Sequence, residues 1–95
     1  MKDYQLVISE LSWNTTERKL YTLFSTIGKV KDVTLITDTI SGESLGEAFV
    51  SMCEESDAET ATRMLNHEVV DGKEIRVSMA SGNDKSFTKA ILFNA

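Results

Sequence analysis

Residues 45–52 read LGEAFVSM. Strict alternation over this stretch puts Ala48, Val50 and Met52 on one side and Glu47, Phe49 and Ser51 on the other. A period of two with one apolar side is the pattern of a strand that lays one face on a core, here over about residues 46–53. Burying a carboxylate would be costly, so Glu47 and Phe49 are expected to share the outer side.

Towards the N-terminus, residues 38–44 (DTISGES) are turn-rich, and residues 30–37 (VKDVTLIT) predict a second strand. Before that strand, Leu20, Leu23, Phe24 and Ile27 fall at i, i+3, i+4 and i+7, the apolar stripe of a helix. Asn14, Thr15 or Thr16 is placed to cap it, the Asn14-to-Glu17 spacing resembles a capping box, and Gly28 fits the C′ position. Residues 4–9 (YQLVIS) predict a first strand, with Leu6 and Ile8 on one face and Gln5, Val7 and Ser9 on the other.

Towards the C-terminus, Ser56 and Glu59 make a second capping-box candidate, ahead of a helix expected to bury Ala58, Ala61 and Leu65, with Met64 as a further apolar position. NHEVVDGKE predicts a loop or short hairpin, because Asp71-Gly72 is a strong turn signal. A last strand is expected over residues 75–79 (IRVSM). The order β-α-β-β-α-β predicts an α+β, ferredoxin-like sandwich: a four-stranded antiparallel sheet backed by two helices. Residues 1–80 would form this domain, and residues 81–95 a polar linker followed by an apolar tail.

At 95 residues the chain has room for one domain with a modest core. A net charge of -5 and a pI near 4.8 oppose the strong basic footprint that nucleic-acid binders normally carry. A single Cys excludes an internal disulfide and suits a reducing compartment, the cytoplasm or, in a eukaryote, the nucleus. No apolar run is long enough to span a bilayer, and MKDYQLVIS lacks a signal-peptide layout, so no membrane partner is expected. His67 and Cys53 have no partner at metal-ligand or catalytic spacing and read as structural residues. The acids Glu54, Glu55, Asp57 and Glu59 suit a helix N-terminus. Neither an enzyme nor a cofactor or metal site is expected. A monomer is expected, either as a complete small protein or as one domain of a larger one.

These residues carry a resemblance. LVISEL (residues 6–11) resembles the first-strand motif of the RNA recognition motif family, and LGEAFVSM resembles its third-strand motif, Lys/Arg-Gly-Phe/Tyr-Gly/Ala-Phe-Val-x-Phe/Tyr. Gly28, Val30, Val33, Leu35, Asp38, Ser41 and Gly42 keep the family's spacing between the motifs. Ala58, Ala61, Leu65-Asn66, Asp71-Gly72, Ile75 and Val77 keep it beyond them. The likeness runs without a gap from residue 4 to residue 80.

The resemblance implies binding of single-stranded RNA, with bases stacked on sheet-face aromatics. Carried over position by position, the aromatic site of the first motif is Val7. The two aromatic sites of the third are Glu47 and Phe49, and its basic site is Leu45. Only Phe49 keeps its chemistry, and the Glu47 carboxylate repels a phosphate backbone. The expected interface is therefore a weak one: a base on Phe49, hydrogen bonds from Gln5, Ser9, Thr34 and Ser78, and phosphate contact from Arg76. Each role has a plainer rival. Phe49 would equally pack under a covering tail, and Arg76 would equally pair with Glu47 or Glu74. Lys29 and Lys31 would serve solubility rather than phosphate, and Trp13 would pack over the core edge. The apolar tail residues Phe87, Ala90, Ile91 and Phe93 are expected either to cover Val7, Ile36, Leu45 and Phe49 or to stay disordered. The alternative to RNA binding is a protein-interaction module of the same fold, its partner docking on the sheet face or the tail.

Overall fold

A computed structural model describes residues 3–80; the expectations for the linker and apolar tail lie outside the described residues. Strands β1 (Tyr4–Ser9), β2 (Val30–Thr37), β3 (Ser44–Met52) and β6 (Arg76–Ala80) form one antiparallel sheet in the order β2-β3-β1-β6. Helices α1 (Glu17–Ser25) and α2 (Glu55–Leu65) back it, and β4 (Val69–Val70) with β5 (Lys73–Glu74) makes a separate hairpin. This is the predicted α+β plan. β3 starts two residues earlier than expected and ends one earlier, and β6 lies one residue further on than the expected 75–79.

The core lies between the helices and the inner sheet face. Leu6 and Ile8 of β1, Ala48, Val50 and Met52 of β3 and Val77 of β6 meet Leu20 and Phe24 of α1 and Ala58, Ala61 and Leu65 of α2. Leu23 and Ile27 flank the α1 stripe as partly buried neighbours. Met64 is 62% exposed instead of buried: Leu65, about 100° further round the helix, takes the inward position.

The helix ends follow expectation in the choice of Thr16 as a cap and depart from it elsewhere. Thr16 caps α1, accepting from the Lys19 N–H at 3.1 Å, so the Asn14–Glu17 box does not form. Gly28 is not among the residues in the left-handed region. Its missing Cβ makes room for the Asp57 side chain at the start of α2. The Ser56–Glu59 box is absent because α2 begins earlier, after Glu54, whose side chain makes no cap bond; the acids Glu55 and Asp57 in the first turn and Arg63 in the last suit the helix dipole.

Each edge strand of the sheet has a backbone donor taken up by a side chain. On β2, the Leu35 N–H donates to Glu17 Oε2 at 2.7 Å; on β6, the Val77 N–H donates to Asn66 Oδ1 at 3.0 Å. Each bond occupies one donor on which another strand would pair. The β4–β5 turn has positive φ at Asp71 (52°) and Gly72 (83°), as a two-residue hairpin turn demands. Asp71 then ties the hairpin to the rest of the domain: its Oδ2 accepts from the buried Thr15 hydroxyl at 2.8 Å.

Candidate nucleic-acid interface

Strand register brings the residues singled out in the sequence onto one face. Thr34, Phe49, Val7 and Ser78 pair in succession across β2, β3, β1 and β6, a row about 14 Å long at ordinary strand spacing. One side of that row holds Ser51 and Gln5; the other holds the pairs Ile36–Glu47 and Ser9–Arg76. Phe49 is half-buried on an inner strand of the sheet, while Thr34, Glu47, Gln5, Arg76 and Ser78 are exposed and Val7 and Ser9 half-buried.

Chemically this is one ring ringed by small hydrogen-bonding groups. A planar ligand lying on Phe49 would have its edge near the Thr34 hydroxyl, with the Gln5 amide and the Ser78 hydroxyl further along the face beyond Val7. Val7, directly opposite Phe49, adds apolar surface but no flat aromatic face.

Arg76 pairs with neither Glu47 nor Glu74. Its Nε lies 3.6 Å from Glu10 Oε2, both groups being more than half exposed, a weak contact that leaves the guanidinium able to exchange partners. Glu74 instead meets His67 Nδ1 at 2.6 Å, so His67 has an acidic partner seven residues on, across the hairpin, which linear spacing did not reveal. Lys31 is held by Asp3 at 2.9 Å, and the hydrogen bond and charge of that carboxylate raise the ammonium's pKa above its usual value. Lys29 is exposed. Among the described residues, no cluster of His, Cys, Asp and Glu could hold a metal ion.

The loop after β1 carries Trp13, which was expected to pack over the core edge. Trp13 is 81% exposed rather than packed on the core edge. That edge is filled by Leu11, whose N–H donates to the Gly46 carbonyl at 3.0 Å, and by Thr15, so Trp13 between them is turned out to solvent. Gly46 permits this contact: its φ is +80°, and a Cβ there would sit 3.2 Å from the Leu11 carbonyl oxygen. Trp13 walls a groove at this end of the sheet, together with Ser9, Leu45, Glu47 and Lys73.

The chain matches the RNA recognition motif over residues 6–76. It is 38% identical over 77 residues to the Glycine-rich RNA-binding protein 1 of Mycosarcoma maydis, covering 81% of this chain and 44% of that protein. It is 36% identical over 81 residues to the U11/U12 small nuclear ribonucleoprotein 31 kDa protein of Arabidopsis thaliana, covering 85% of this chain and 31% of that one. The chain thus spans less than half the length of both relatives. A solved Sxl-lethal protein/RNA complex superposes with a TM-score of 0.80 at 32% identity, over 88% of this chain and 50% of the other. With the strand order, the helix placement and a continuous match over residues 6–76 in agreement, the chain belongs to the RNA recognition motif family.

Proposed function

We propose that the outer sheet face binds single-stranded RNA as a monomer, with low affinity and without catalysis. The observation that carries this reading is Phe49: it is the one aromatic side chain on that face among the described residues, on an inner strand between Thr34 and Val7, with Gln5 and Ser78 further along the same face. One base stacks on its ring, worth about 1–3 kcal/mol. The Thr34 hydroxyl meets the base edge, the Gln5 amide and Ser78 hydroxyl meet the adjoining nucleotides, and Arg76 exchanges Glu10 for a phosphate. Ser9 adds a further hydroxyl beside Arg76. The names of the two relatives and the RNA bound in the similar complex support the ligand class. Val7 and Glu47 in place of stacking residues, and a net charge of -5, support the low affinity. A nuclear or cytoplasmic setting follows from this reading, and the small nuclear ribonucleoprotein relative supports the nucleus.

The second reading, a protein-docking module, is favoured by the exposed Trp13 and Leu45. A titration with short random single-stranded RNA separates the two. Binding that weakens by about 1–3 kcal/mol in a folded Phe49→Ala variant supports the stacking platform. Unchanged affinity in that variant removes it.

A further inference from the structure

We propose that the groove at the loop end of the sheet takes a guanine base of the bound strand, Trp13 supplying the stacking face and Glu47 accepting hydrogen bonds from the base edge. The proposal rests on the RNA-binding reading and adds to it a second base site and a base identity.

Three observations converge on it. Trp13 is 81% exposed, yet its loop is pinned on both sides, by the Leu11 N–H to Gly46 carbonyl bond at 3.0 Å and the Thr15 N–H to Ser12 carbonyl bond at 3.1 Å. A fixed loop of this kind presents the ring at a set place beside the sheet, so the backbone need not be ordered when the ring is covered. Next, Glu47 lines the same groove and lies two residues from Phe49 on the same strand face, so a strand stacked at Phe49 continues into the groove. Finally, the cross-strand neighbour of Glu47 is Ile36, and none of the ion pairs among the described residues uses its carboxylate.

The ligand that fits is flat, offers adjacent N–H donors and carries a negative charge at a distance. A carboxylate only accepts. Guanine is the RNA base whose Watson–Crick edge sets two donors, N1–H and the N2 amino group, side by side. Adenine and cytosine each place a ring acceptor beside their amino group, and uracil flanks its one donor with carbonyls. Both oxygens of Glu47 are therefore satisfied by guanine alone, while Lys73 on the groove wall is placed to meet a phosphate. Glu47 thus costs general affinity and confers selectivity.

The test uses the full chain and labelled uridine octamers carrying one central guanosine, adenosine, cytidine or inosine, read by fluorescence anisotropy. The guanosine octamer should bind on the order of tenfold tighter than the adenosine or cytidine one, with inosine, which lacks the N2 amino group, between them. Glu47→Gln should erase that difference. Trp13→Ala should weaken the guanosine octamer by on the order of tenfold, both variants giving a folded amide spectrum. Trp13 is the chain's single tryptophan, so its intrinsic fluorescence should change as the guanosine octamer saturates. Equal affinity for all four octamers, a guanosine preference that survives Glu47→Gln, or unchanged tryptophan emission would overturn the groove site and leave the Phe49 platform standing. No binding of any octamer would overturn both.

Discussion

On β3, Ala48, Val50 and Met52 enter the core while Glu47, Phe49 and Ser51 alternate with them on the outer face. Of the inward set, Ala48 and Val50 match the third-strand motif, and Met52 stands at its last aromatic site as another apolar residue that fills the core. Of the outward set, Phe49 matches an aromatic site of the motif, Glu47 does not, and Ser51 stands where the motif is variable. The two sets share one backbone and one register, so the difference is one of constraint. An inward side chain must fill a close-packed volume. An outward one answers only to what touches it from solvent, so Glu47 can replace an aromatic ring without disturbing Ala48 or Val50.

The comparison breaks most visibly at adjacent residues of β1. Ile8 is fully buried, and Ile8→Ala should destabilise the domain by about 2–5 kcal/mol, read as a lower midpoint in chemical denaturation. Val7→Ala, one residue away on the outer face, should cost much less; equal losses would mean that both faces are packed alike. Next in size is Glu47→Tyr, which restores a stacking platform and removes a repelling carboxylate. It should strengthen binding of a uridine octamer by about 1–3 kcal/mol with folding intact, and a failure to do so would deny that this face can serve RNA.

A smaller effect is expected at Thr15, the buried polar residue among those described. Thr15→Val keeps the shape but removes the hydrogen bond to Asp71, and should lower stability by about 1–2 kcal/mol without changing RNA affinity. The smallest concerns Asp38 in the β2–β3 loop. Its Oδ1 accepts from the Ser41 and Ile40 N–H groups, which hold its carboxyl below the usual carboxylate range. A depressed folded pKa stabilises above the unfolded value, and that contribution is lost as pH falls through the folded one. The melting temperature should therefore drop further between about pH 6 and about pH 3 in the wild-type chain than in Asp38→Ala. Equal drops would show that the turn does not depend on the charge.

What was legible in the sequence follows the same division. Period-two and helical stripes report burial, and they placed Leu6, Ile8, Leu20, Phe24 and Val50 in the core. Asp71-Gly72 was readable because a tight turn needs positive φ at both residues. The outer-face residues were found as a set because face follows from parity along each strand. Contacts between distant segments were not readable. The partners of Arg76 and His67 lie across loops, at Glu10 and Glu74, and no local pattern names them. Trp13 was expected to pack over the core edge. Its exposure follows from two backbone bonds, one of which joins its loop to Gly46, more than thirty positions away. Gly28 looked like a helix terminator, yet it makes way for Asp57 of the other helix.

Backbone amide shifts followed during titration with single-stranded RNA test the central claim, that the sheet face away from the helices is the RNA surface, most directly. The account predicts that shifts concentrate at Gln5, Val7, Ser9, Thr34, Glu47, Phe49, Arg76 and Ser78, with the solvent side of α1 and α2 unmoved. Shifts confined to the helices, or none at saturating RNA, would contradict it.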